Sequence, residues 1–259
     1  MIRDIEIGVA SRPPRLDSRP LARRIGLVIL ATMRAKSGSV VWSVASDEIG
    51  IYVSRIHYAN PTTPENLRAM QPSLTSGAGL ILPGEPLDVI MYSCTSASVV
   101  IGDDEVAAAI RKAKPGVQVV TPTAAAVLGL KAFGAKRISV LTPYTRETSR
   151  PMADYFADLG FGIDRFTCLD MTDDREMARV APSEIVAFAK EAADPVSDAL
   201  FVSCTALRAA GVAAEIEQAI GKPVVTSNLA TAWQCLRICG DASSRPELGS
   251  LVTLPLPGA

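Results

Sequence analysis

Short apolar runs rich in Val, Ile and Leu alternate along the chain with longer Ala-rich stretches whose apolar positions recur at helical spacing. The runs predict strands over 25–30, 49–56, 89–92, 117–121, 138–142, 161–167, 199–203 and 223–226. The longer stretches predict helices over 64–75, 103–114, 123–133, 146–159, 182–192, 206–220 and 230–238. Several strands are continuously apolar rather than alternating, as in a parallel sheet covered on both faces. Strand and helix in regular alternation make the fold class α/β. Residues 3–24 and 243–259, rich in Pro, Arg, Ser or Gly, read as surface arms or loose termini.

The pattern also repeats. Tyr92-Ser93-Cys94-Thr95 is matched by Val202-Ser203-Cys204-Thr205, the run at 24–30 by that at 137–142, and Val119-Val120-Thr121 by Val224-Val225-Thr226. Three matches in one order, at offsets of about 105–113 residues, mark an internal duplication. The expected architecture is two similar lobes, each a mainly parallel sheet flanked by helices, related by pseudo-twofold symmetry with the active site between them. Residues 1–120 would form the first lobe, holding Cys94, and 121–259 the second, holding Cys204, with a chain crossover blurring the boundary.

Composition narrows the function. Among 259 residues, 26 Lys+Arg against 27 Asp+Glu give a formal charge of −1, which offers no purchase for nucleic acid or an anionic membrane. The longest apolar stretches, such as 119–130, are broken by Pro and Thr and fall short of the ~20 residues that span a bilayer. The opening residues carry no secretory pattern, and five scattered Cys suggest reduced thiols, so a cytoplasmic location is expected. There is one histidine, His57, which reads as an ordinary strand residue. No phosphate-cradling glycine motif follows a strand, so no nucleotide cofactor is expected. Cys235 and Cys239 lie four apart on a helix without further metal ligands, Cys168 sits beside a strand end, and no metal is expected. Residues 173–176 read as a solvated helix start.

Candidate chemistry therefore concentrates on the two Ser-Cys-Thr segments. Each follows an apolar strand and precedes a helix-forming segment, and ligands of parallel sheets bind at such carboxyl ends. Backbone N–H groups and a helix dipole there should lower a thiol pKa toward neutrality. Thr95, Ser96 and Thr205 add hydroxyl donors suited to a carboxylate or enolate oxygen. A single Cys at a strand end is usually core. Two at equivalent places of a duplicated unit, each followed by Thr, point to function.

With these motifs the chain resembles the aspartate/glutamate racemase superfamily, in particular the maleate isomerase and ectoine-utilisation protein A branch, near arylmalonate decarboxylase. The residues carrying the resemblance are 92–98, Thr142-Pro143-Tyr144, 201–208, 223–228 and 59–67. It implies a cofactor-independent isomerase or racemase of a small carboxylate, either a maleate-like dicarboxylate or an ectoine-derived amino acid. Cys94 would be the nucleophile or first base and Cys204 the opposing acid/base. Thr95, Ser96 and Tyr144 would hold a substrate carboxylate or enediolate, and Thr205 and Ala206 would offer backbone N–H groups to a second carboxylate. A homodimer or homotetramer is implied. Two departures stand out: Met33 replaces a polar loop residue, with Arg34 beside it, and Asp174 falls where the isomerases bind substrate with Asn. Both make an amino-bearing or larger substrate easier to accommodate than maleate. The rival readings are a malonate-type decarboxylase using Cys204 alone and a non-catalytic sensor of an ectoine catabolite. A dithiol redox role for Cys235 and Cys239 lacks a CxxC motif.

Overall fold

A computed structural model of the chain describes residues 8–16, 21–32 and 45–258. Met33, Arg34 and most of the atypical stretch after them lie outside the described residues. All eight apolar runs become strands: β1 Arg23–Leu30, β2 Ile49–Ile56, β3 Val89–Ser93, β4 Gln118–Val120, β5 Arg137–Tyr144, β6 Gly162–Met171, β7 Ala199–Val202 and β8 Val224–Thr226. They form two four-stranded sheets, in the orders β2-β1-β3-β4 and β6-β5-β7-β8, with every neighbouring pair parallel. The order is the same in both. Ile25 aligns with Ile51 and Val89, and its counterpart Ile138 with Ile163 and Ala199. The duplicated sequence thus builds a duplicated sheet.

The helices are α1 Pro64–Arg68, α2 Gln71–Gly79, α3 Thr95–Ile101, α4 Asp103–Ala113, α5 Pro122–Ala132, α6 Arg146–Asp158, α7 Asp174–Met177, α8 Pro182–Ala192, α9 Ala213–Ile220 and α10 Ser227–Ile238. Alternate residues of the central strands explain the continuous apolar runs. Val28, Leu30, Ile90 and Tyr92 pack into the first lobe's own core. Ile25, Leu27, Ile29, Val89 and Met91 join a larger core that includes the second lobe. Helices α5 and α10, each following the last strand of its sheet, pack on one another, and α10 also touches β3. The two lobes are joined through apolar contacts.

Three expectations are corrected. The helix expected over 64–75 is two helices: Thr63 caps α1, and α2 restarts with Pro72 in its first turn, where its missing N–H leaves no bond unmade. The helix expected from residue 206 begins later. The Asn228 amide donates to the carbonyls of Thr205 and Leu207 at 3.1 Å each, holding an irregular turn that leads into a 3₁₀ helix, Ala209–Val212. The C-terminal stretch is not loose. Leu251 and Val252 are buried, and the Trp233 indole donates to the Leu254 carbonyl at 2.8 Å. Gly129 leaves the room: a Cβ there would stand 3.3 Å from both Leu251 and Val225. At the other end, Arg24 belongs to β1 and pairs with Glu85 at 2.7 Å.

Candidate active site

Both cysteines stand just beyond the carboxyl ends of inner strands. Cys94 follows β3 and is the N-cap of α3; its carbonyl accepts from the Ser98 N–H at 3.1 Å and the Ser98 hydroxyl at 2.8 Å. Cys204 lies two residues past β7, in the turn held by Asn228 rather than at a helix start. Its φ of 90° is a conformation L-residues rarely adopt, and strain of this kind costs about 1–3 kcal/mol and gathers at functional sites. The turn folds the Ala206 N–H back onto the Cys204 sulfur at 3.3 Å.

The two thiols line one cavity between the lobes, together with Leu30, Tyr58, Thr62, Ser96, Tyr144 and Asp174. Thr205 and Ala206 also face it. Its free space is about 20 Å³, room for about one water molecule. Any carboxylate substrate must therefore displace side chains or part the lobes on entry.

Six of the seven residues singled out in the sequence meet here; Thr95 does not line the cavity. Its hydroxyl crosses instead to Ser227 Oγ, at 2.9 Å, at the start of α10. The Thr205 hydroxyl makes the reciprocal crossing to the Ser93 carbonyl, at 3.1 Å. The paired threonines thus connect the lobes, and their hydroxyls are not donors aimed at the sulfurs. Ser96 is: its Oγ stands 3.7 Å from Cys94 Sγ. Ala206 offers its N–H to the Cys204 sulfur.

The expected lowering of the thiol pKa is overturned. Burial pushes Cys94 up to about 12, outweighing the Ala97 N–H and Ser96 hydroxyl that favour its thiolate; negative charge at Cys204 and Asp174 adds to the rise. Burial also raises Cys204, against the Tyr144 hydroxyl and the N–H groups of Leu207 and Ala206, and the negative charge of Asp174 again adds to the rise. In a cavity this small, desolvation of the charged form exceeds what a few dipoles return. Tyr58 and Tyr144 are raised by burial as well, so both enter the site as neutral hydroxyl donors.

Asp174 was expected at a solvated helix start. It does open α7, but only 7% of it is exposed. Its carboxylate accepts from the Asn60 amide at 3.0 Å and from the Thr32 hydroxyl, both from the first lobe. Asp173, its neighbour, is the surface member and pairs with Arg175. Tyr58 and Thr62, bonded to each other, were not singled out as site residues. Their segment reaches the second lobe through the Thr62 N–H, which donates to the Thr172 carbonyl at 2.7 Å. The lone histidine is exposed just past β2, Cys168 lies on edge strand β6, and Cys235 and Cys239 are buried on α10 and at its end.

A family model described as arylmalonate decarboxylase matches residues 82–252, a span that holds both cysteines and Asp174. The chain belongs to the arylmalonate decarboxylase family. The family is one of enzymes, and this member has maleate isomerases among its relatives. It is 27% identical over 241 residues to the maleate isomerase of Nocardia farcinica, covering 89% of this chain and 95% of that one. Among solved structures, a cysteine-to-serine mutant of the Nocardia farcinica maleate cis–trans isomerase with a covalently bound succinylcysteine intermediate superposes with a TM-score of 0.80 at 24% identity, over 89% and 98% of the two chains. A liganded double mutant of arylmalonate decarboxylase superposes at 0.76 with 28% identity, over 88% and 98%. The two-lobe fold and the aspartate/glutamate racemase superfamily expected from the paired motifs are both shown.

Proposed function

We propose that this family member is a cofactor-independent isomerase or racemase of a small carboxylate, with Cys94 and Cys204 as its opposed catalytic pair. The observation that carries the reading is the meeting of two cysteines, from equivalent strand ends of two duplicated sheets, in one small cavity. The maleate isomerase relatives, one of them trapped with a covalent succinylcysteine, support chemistry at a sulfur. The substrate is a maleate-like dicarboxylate or an amino acid, of which an ectoine-derived one is the candidate that the sequence resemblance brings.

Two courses are open to the pair. On an alkene, one thiolate adds to the double bond, the new C–C single bond rotates, and elimination returns the thiolate and the trans product. On a carbon α to a carboxylate, one thiolate takes the α-proton and the opposite thiol delivers its own to the other face. Either course develops charge on a carboxylate oxygen, where the buried Tyr144 and Ser96 hydroxyls act as fixed donors. Since burial holds the resting thiols protonated, substrate entry must supply the interactions that let one ionise.

A second reading is supported by the matching family model and by the arylmalonate decarboxylase structure that superposes on the chain. A decarboxylase of a malonate-type acid would use Cys204 alone as proton donor. Proton NMR in D₂O with C4 dicarboxylates, amino acids and a substituted malonate separates the two. α-Deuterium incorporation or cis–trans conversion that is lost in both Cys94→Ala and Cys204→Ala supports the paired mechanism. Loss of a carboxylate, with Cys94→Ala still active, replaces it by decarboxylation. Turnover unchanged in either variant sinks the pair altogether.

A further inference from the structure

We propose that Tyr92, fully buried behind Cys94 on the same face of β3, is a positioning residue that gives its hydroxyl to the Cys94 sulfur as the thiolate forms, a donor that the substrate cannot take away. The inference rests on the isomerase reading for the use of a Cys94 thiolate and deepens it by one residue.

The placement follows from strand geometry. Cys94, the residue after β3, is still extended at φ −153° and ψ 109°. The alternation of the strand therefore runs on through it and carries the side chains of Ile90, Tyr92 and Cys94 to one face. All three pack in the first lobe's own core with Tyr58, and Val28 lies opposite Tyr92 in the register. Tyr92 is 0% exposed and, unlike Tyr58 and Tyr144, does not line the interlobe cavity. Its hydroxyl forms no hydrogen bond of normal geometry among the described residues. After burial itself, Cys94 is the group that most affects its ionisation, through charge and through a hydrogen bond, ahead of Tyr58.

A buried hydroxyl held against a neutral thiol faces only a weak acceptor. Ionisation of the sulfur changes that. A hydrogen bond to a charged atom is about twice as strong as one between neutral groups, and a donor to the charged form lowers the thiol pKa. The bond left unmade at rest is made when the thiolate appears. Tyr92 keeps its proton throughout, since burial and the neighbouring sulfur hold its own ionisation well above the usual phenol range. The Ser96 hydroxyl also favours the Cys94 thiolate, but it lines the cavity and is open to a substrate carboxylate. When a carboxylate claims Ser96, Tyr92 and the Ala97 N–H stay with the sulfur. The arrangement belongs to one lobe: Val202, also 0% exposed, stands at the place of Tyr92 in the duplicated segment.

Iodoacetamide labelling of the full chain over pH 7–9, with Cys94 and Cys204 read separately by peptide mass spectrometry, tests the donor without any substrate. In Tyr92→Phe the Cys94 rate at a given pH should fall about tenfold, while Cys204, which shares the cavity and so the access, stays within about twofold. A singly fluorinated tyrosine at position 92, with a more acidic hydroxyl of nearly the same size, should speed Cys94 labelling; a merely structural ring would not move the rate in opposite directions. Because the hydroxyl is unbonded at rest, Tyr92→Phe should keep or raise the urea midpoint at pH 7. Unchanged Cys94 labelling in Tyr92→Phe, equal slowing of both cysteines, or slowing by the fluorinated ring overturns the proposal. Turnover of the carboxylate panel is read on the same proteins, and kcat in Tyr92→Phe should fall about tenfold with KM little changed. A labelling shift without any turnover in the wild type sinks the isomerase reading and leaves the donor standing; turnover that needs Cys94, with labelling unmoved in Tyr92→Phe, does the reverse.

Discussion

Removing the Cys94 thiol should change how the stability of this protein depends on pH. In the native cleft, burial pushes this thiol up to about 12. In the unfolded chain it returns to about 8.5. A group whose folded pKa lies above its unfolded one supports the native state fully below the unfolded value and loses that support as pH rises. At pH 7 both states keep the proton and the effect is close to zero. At pH 10 the unfolded thiol is almost wholly ionised while the native one is not, which lowers the unfolding free energy by about 2 kcal/mol. Serine at position 94 keeps the shape but does not titrate in this range. Urea unfolding under reducing conditions gives the wild-type stability minus that of Cys94→Ser at each pH. This difference should fall by about 2 kcal/mol between pH 7 and pH 10, while its size at pH 7 reports packing and cancels. A difference that stays constant, or that grows with pH, would mean that donors at the start of α3 favour the thiolate more than burial opposes it, and the reasoning would be refuted.

Two further predictions test other parts of the account. Tyr144→Phe removes a hydroxyl that favours the Cys204 thiolate; kcat should drop about 10²-fold, and alkylation of Cys204 by iodoacetamide should shift to higher pH. An unshifted alkylation profile would separate Tyr144 from the thiol. Leu251→Ala empties the space above Gly129 and should cost about 2–5 kcal/mol in urea unfolding, whereas a cost below about 0.5 kcal/mol would return the C-terminal stretch to a loose arm.

Much of this protein was readable from its sequence because the relevant physics is local. A run such as Val89–Ser93 is apolar at every position since both sheet faces are covered, and that pattern needs no knowledge of what covers them. The duplication followed from three short matches, and with it came the equivalence of Cys94 and Cys204 and the two-lobe architecture. What sequence reasoning missed depends on partners far away along the chain. From local composition Asp174 reads as a solvated helix start beside Asp173, Arg175 and Glu176, and only the family resemblance pointed it at substrate; it becomes a cavity wall because Asn60 and Thr32 reach it from the other lobe. The threonines after each cysteine read as substrate donors, yet their hydroxyls reach Ser227 and Ser93 across the lobe junction. The thiol pKa turned on the same difference. A strand end and a helix start are local and argue for a thiolate, but the size of the cavity is set by two sheets meeting, and in so small a space desolvation decides the sign. Sequence alone determined which residues repeat and which elements they form; the approach of the two lobes determined which of them are buried and which of them face one cavity.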